Sequence, residues 1–137
     1  MVKALGVDLG ERRIGLAVSA GSVAVPHATL TRSEDPAADR RAIVDAARDA
    51  GCDTIVVGLP RSLSGRVGAA ERAARDEIAA LVALAPELDV VAHDERFTTR
   101  IAARQLQAAG VDARRQRPVV DETAATVMLQ SYLEQPS

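Results

Sequence analysis

Over the first thirty positions apolar residues alternate with small or polar ones; after that the spacing turns helical, so the chain has two textures. Val2 to Asp8 predicts a strand, Ile14 to Val18 a second and Ser22 to Leu30 a third, with Leu9 to Arg13 as the turn between the first two. Ile14, Leu16 and Val18 put bulk on one face of the second strand, while Gly15 and Ala17 leave the other nearly bare. In the first strand Ala4 and Gly6 share a face with Asp8. A face of small residues permits close approach of a helix or a ligand.

Asp35-Pro36 starts the helical part, an N-cap followed by proline at the first helical position, and Gly51 closes a helix over roughly 36 to 50. Thr54 to Val57 is a short buried strand running into Gly58-Leu59-Pro60. A loop with Gly65 and Gly68 leads to an Ala-rich helix that stops before Pro86, and Asp89 to Ala92 is a further strand. Thr98 or Thr99 caps a helix ending at Gly110, and a last helix runs from about Asp121 to Leu133, after the basic Arg114-Arg-Gln-Arg117 and Pro118. The order β-β-β-α-β-α-β-α-α implies hairpins first and right-handed parallel crossovers afterwards. The expected architecture is an α/β fold of three layers, a mixed five-stranded sheet with helices on both faces, in one domain spanning residues 1–137.

Composition narrows the chemistry. A net charge of −2 gives no global basic field, so any contact with nucleic acid must rest on local clusters. Phe97 and Tyr132 are the only aromatic residues, which argues against recognition by base stacking on an aromatic platform. Cys52 stands alone, so there is no intrachain disulfide, and His27 and His93 lack cysteine partners for a structural zinc site. Apolar runs are far below membrane-spanning length and no signal segment is evident, so a cytoplasmic location without membrane contact is expected.

Acids stand at three predicted element ends: Asp8 ends the first strand, Asp94-Glu95 the last strand, and Asp121-Glu122 begins the last helix. Were the first and last strands parallel neighbours, their carboxyl ends would lie together, where α/β sheets place their sites. Carboxylates brought so close repel unless some protonate or a cation bridges them, and a hard divalent ion, Mg²⁺ or Mn²⁺, suits an all-oxygen shell. Each acid has a plainer reading as well: Asp8 as a turn residue, Glu95 paired with Arg96 or Arg100, Asp121 as an N-cap. His93 shares Glu95's side of an extended strand and is a candidate for proton transfer or metal binding, although a packed strand-end histidine is commoner. Arg12, Arg13, Arg61, Arg66, Arg96, Arg114, Arg115 and Arg117 are the candidate phosphate contacts. The stretch GLPRSLSGRVG (58 to 68) lacks the Gly-Lys-Ser/Thr ending of a P-loop, which argues against that mode of nucleotide binding.

Four stretches carry a resemblance: ALGVDLGERRIGLAVS (4 to 19), VVGLPRSLSGRVG (56 to 68), DERFTT (94 to 99) and VDETAATVMLQSYL (120 to 133). In this order and spacing they resemble the YqgF/RuvX family, small RNase H-like proteins related to Holliday-junction resolvases, over nearly the whole chain. The resemblance implies an RNase H-like fold and a metal-dependent endonuclease, described both as a processor of the 5′ end of precursor 16S ribosomal RNA and as a Holliday-junction resolvase homologue. It maps the family's catalytic acids onto Asp8, Glu95 and Asp121. The chemistry expected from it is in-line displacement with two ions about 4 Å apart, Asp8 shared between them and Glu95 and Asp121 each completing a shell. Ala20, His93 and Phe97 depart from the residues common in the family at those places, and none of these departures removes an acid. Related resolvases often add a fourth carboxylate near the last helix; Glu122 is beside Asp121 but faces elsewhere on a regular helix. The partner is then precursor 16S rRNA or branched DNA, handled by a monomer or a homodimer. Rival readings are a non-catalytic nucleic-acid-binding module and an actin-like nucleotide-binding protein, although 137 residues cannot supply the latter's two lobes.

Overall fold

The computed structural model describes residues 2–61, 66–95 and 116–135, with side chains from 123 onward in the last segment. Its elements are β1 (Ala4–Leu9), β2 (Arg13–Ala20), β3 (Val23–Thr31), α1 (Pro36–Asp49), β4 (Thr54–Leu59), α2 (Ala69–Leu84), β5 (Asp89–Asp94) and α3 (Gln116–Leu133). Asp35 caps α1 as its sequence predicts, its side chain accepting from the Ala37 amide at 3.0 Å, with Pro36 in the first turn. Gly51 follows the helix at φ +72°, a conformation glycine adopts without strain.

The strands form one sheet in the order β3-β2-β1-β4-β5. β1, β2 and β3 are antiparallel neighbours, whereas β1–β4 and β4–β5 are parallel. The mixed sheet is therefore as expected, but the direct pairing of first and last strands is not: β4 lies between β1 and β5. Both β4 and β5 also run two residues further than their apolar cores suggest, because Gly58 and His93 continue the ladder as a registered pair. On the edge strand β3, Pro26 sits beside a register irregularity, where a missing amide costs no ladder bond.

Side-chain alternation divides the core between the two faces. Leu5, Val7, Ile14, Leu16, Ile55 and Val57 pack with Ile43 and Val44 of α1 and Leu81 of α2. On the other face Ala4, Ala17 and Val56 meet Ala125, Met128 and Leu129 of α3. The small residues on that face let α3 lie close: a Cβ on Gly6 would stand 2.8 Å from Leu129 Cβ and 3.3 Å from the Ala125 carbonyl oxygen. Farther along α3, Gln130 accepts from the Ala24 amide at 2.8 Å and donates to the Ser22 carbonyl at 3.1 Å. The helix is thus tied to the start of β3 and packed across Gly6 of β1. The helix expected over Thr98 to Gly110 falls outside the described residues. α3 begins ahead of Asp121 and takes Pro118 into its first turn, where a proline's missing amide would have had no helical partner in any case.

Candidate active site at the carboxyl edge of the sheet

Asp8 is half-buried near the end of β1, on the face covered by α3, and pairs across to Gly15 of β2. One strand away, Gly58 follows Val57, which is in register with Val7. Glu95 comes directly after β5, two strands from Asp8. Its carboxyl crosses the intervening strand because Gly58 has no side chain: a Cβ there would stand 2.5 Å from Glu95 Oε1 and 3.1 Å from its Cγ. With that space open, Glu95 and Asp8 share a hydrogen bond.

Burial above all, then the hydrogen bond with Asp8 and the charges of Asp8 and Asp94, push Glu95 up to about 8. At neutral pH it holds a proton and donates it to the Asp8 carboxylate. Two oxygen ligands sharing a proton on a partly desolvated edge are a donor set in which a hard divalent cation can take the proton's place, with both acids ionised. Among the described residues no three His, Cys, Asp or Glu side chains form a complete cluster for a metal. Asp121 belongs to α3 one turn ahead of Ala125, and its side chain and that of Glu122 lie outside the described residues.

Gly58→Ala tests this arrangement without touching an acid. The new methyl meets the mobile end of Glu95 rather than backbone, so the carboxyl moves aside while the strand stays paired. The expected result is a fall in cleavage on the order of 100-fold, the scale set by a misplacement of about 1 Å, with the melting temperature shifted by only a few degrees. Cleavage assays paired with thermal melts check it, and full activity in a folded Gly58→Ala protein would show that Glu95 need not lie over this strand.

His93 is 3% exposed, with its Nε2 3.0 Å from Ser131 Oγ and its ring edge-on to Tyr132 at 6.0 Å between centroids. Burial lowers its pKa against the opposing pull of Asp94, which favours the neutral imidazole. Its contacts tie β5 to α3, the packed strand-end role. Asp94 is in ion-pair range of Arg61, Oδ2 to Nη1 at 3.8 Å. Arg12 and Arg66 are exposed and Arg13 is half-buried. Arg96, Arg114 and Arg115 fall outside the described residues, and so does the side chain of Arg117 in α3.

Three residues at this edge escaped sequence reasoning. Arg32, after β3, donates from Nε to the Gly10 carbonyl at 2.6 Å and so adds a cation beside the turn that follows Asp8. Gly58 reads as the start of a loop until Glu95 is seen across it. Glu71 in α2 is buried, although its sequence position suggests an ordinary first-turn helix acid.

A family model described as RuvX, Holliday junction resolvase, matches residues 2–135. The chain belongs to the RuvX family. Among its relatives in the RuvX family is a protein of Clavibacter sepedonicus named pre-16S rRNA nuclease, 42% identical over 132 residues that cover 95% of this chain and 81% of the relative. A protein of the same name from Leifsonia xyli is 43% identical over 134 residues, 95% of this chain and 84% of the relative. In three dimensions the chain is similar to Thermus thermophilus RuvC in complex with a Holliday junction substrate, with TM-score 0.59 and 16% identity over 96% of this chain and 94% of that one. A second T. thermophilus RuvC structure gives TM-score 0.55 at 14% identity, covering 93% and 92%. These likenesses make the fold RNase H-like, as the motif resemblance implies. No helix among the described residues is long and apolar enough to cross a membrane.

Proposed function

We propose that this RuvX chain is a divalent-metal-dependent endonuclease that hydrolyses phosphodiester bonds in the 5′-end processing of precursor 16S rRNA. The observation that carries the reading is the proton-sharing pair of Asp8 and Glu95, brought together over Gly58 at the carboxyl edge of an RNase H-like sheet. Identity of 42–43% to proteins named pre-16S rRNA nuclease supports RNA as the substrate. The resolvase description of the family model favours branched DNA as the second reading.

Asp8 and Glu95 would hold Mg²⁺ or Mn²⁺, with Asp121 as the third ligand contributed by α3. When bound, such an ion supplies Lewis-acid stabilisation of the phosphate and a more acidic water. The chain's own residues do the rest. Gly58 keeps the path open for Glu95, and His93 with Ser131 ties the strand bearing Glu95 to the helix bearing Asp121. Arg12, Arg13, Arg61 and Arg66 hold the phosphodiester backbone by charge-assisted hydrogen bonds, joined by Arg96, Arg114, Arg115 and Arg117 from segments next to Glu95 and Asp121 in sequence. Asp94 and Glu122 are accessory acids in this scheme. Residues 1–137 act as a single nuclease domain in the cytoplasm, and RNA end processing needs only a monomer.

Side-by-side cleavage of precursor 16S RNA and a four-way DNA junction, each with Mg²⁺ or Mn²⁺, tests the proposal. The expected result is metal-dependent shortening of the RNA 5′ end with the junction left intact. Efficient, symmetric cutting of the junction instead would establish the resolvase reading, and turnover that persists in chelator would refute metal dependence.

A further inference from the structure

We infer that Glu71 is a positioning residue, which holds Arg61 at the carboxyl edge of the sheet, beside Asp94, as a preset phosphate contact. The inference rests on the reading of this edge as a nucleic-acid site.

Glu71 lies in the first turn of α2 with its side chain only 4% exposed. A buried carboxylate is stable only when its charge is answered, and two guanidinium groups answer this one. Arg75, one turn along, donates from Nε to Oε2 at 3.0 Å. Arg61 approaches the other oxygen, Nε to Oε1 at 3.9 Å. On its far side Arg61 Nη1 is 3.8 Å from Asp94 Oδ2, so the guanidinium spans from α2 to the end of β5, next to Glu95. Both distances exceed hydrogen-bond range, and the Arg61 side chain is 42% exposed. Its donors therefore remain available to a third anion while its position is set by two fixed ones. Arginine's planar fork suits a phosphate bidentately. Arg61 follows Pro60 just past the end of β4, at the same edge as Asp8 and Glu95. Glu71 touches no substrate in this arrangement. Without it, Arg75 alone would still face the helix, but Arg61 would be drawn to Asp94 or into solvent.

The sign of the effect separates positioning from simple electrostatics. Removing a negative charge near a phosphate site should strengthen nucleic-acid binding, whereas loss of a positioning group should weaken it. The full chain is titrated with a short fluorescein-labelled single-stranded RNA and with a four-way DNA junction, using Ca²⁺ in place of Mg²⁺ to suppress cleavage. Glu71→Gln is expected to weaken binding about 3- to 10-fold and to lower the log–log salt slope by about 1. In cleavage assays KM should rise by the same factor with kcat unchanged. Arg61→Ala should show the same loss, and the double variant should lose no more than either single one. Glu71→Asp keeps the buried charge beside Arg75 but shortens the reach to Arg61; it should bind at least about twofold more weakly and serves if Glu71→Gln does not fold. Unchanged or tighter binding by folded Glu71 variants while Arg61→Ala binds weakly would overturn this inference alone. Failure of the wild type to bind either probe, or of Arg61→Ala to matter, would overturn the site reading along with it.

Discussion

Asp8→Asn should leave the protein folded and lower cleavage by about 1000-fold or more, the scale on which losing one preorganised charge-stabilising group lowers kcat. The substitution preserves shape and leaves the ladder pairing with Gly15 intact. It replaces one anionic oxygen by an amide nitrogen, which is a hydrogen-bond donor and no ligand for a hard cation. The loss should therefore appear in a measurement that needs no substrate. On the proposed reading, Mg²⁺ or Mn²⁺ should bind the wild-type native state alone and raise its melting temperature with concentration. In Asp8→Asn that rise should vanish at concentrations saturating the wild type, while the metal-free far-UV circular dichroism stays the same. An Asp8→Asn protein that cleaves normally would exclude Asp8 from the reaction. One that keeps the full metal-dependent rise would place the ion elsewhere.

How much of this site was readable in advance depended on how local each signal is. Asp35-Pro36 and Gly51 bound α1 through contacts within a few residues, and they stand where the sequence puts them. The bare face of Ala4, Gly6 and Ala17 was also legible, because strand alternation fixes which residues share a side; that face became the seat of α3. Strand order was not legible. Nothing in Thr54 to Leu59 says that it separates β1 from β5, since the order is decided by crossovers and burial on both faces. Gly58 was missed for this reason: its importance comes from a side chain arriving from the next strand. Glu71 was hidden likewise, because only the approach of Arg61 and Arg75 distinguishes a buried acid from a solvated one. Asp8 and Glu95, chosen as strand-end acids, do meet in space.

Glu95→Gln should separate stability from activity more sharply than any other substitution at this edge. In the metal-free chain Glu95 is held at about 8, against an ordinary carboxyl value of 4.5, by burial first and by Asp8 next. Between those two values the unfolded chain has released this proton while the folded chain still binds it. The unfolded state therefore binds fewer protons, and stability falls as pH rises through the window, levelling off above about 8. Discounted for water reaching the half-buried carboxyl, the destabilisation at the alkaline end is about 2 kcal/mol. Glutamine cannot ionise and can still donate a hydrogen bond to the Asp8 carboxylate. In chelator, then, Glu95→Gln should match the wild type in melting temperature near pH 5 and exceed it by roughly 5–10 °C at pH 9. Cleavage with Mg²⁺ should be lost in the same protein, because the carboxyl that is strained against Asp8 in the metal-free chain is the one proposed to hold the ion. Melts across the pH range, with and without Mg²⁺, check both halves. A variant no more stable than the wild type at pH 9 would mean that Glu95 is not strained against Asp8. A more stable variant that still cleaves would mean that the strain serves no catalytic end.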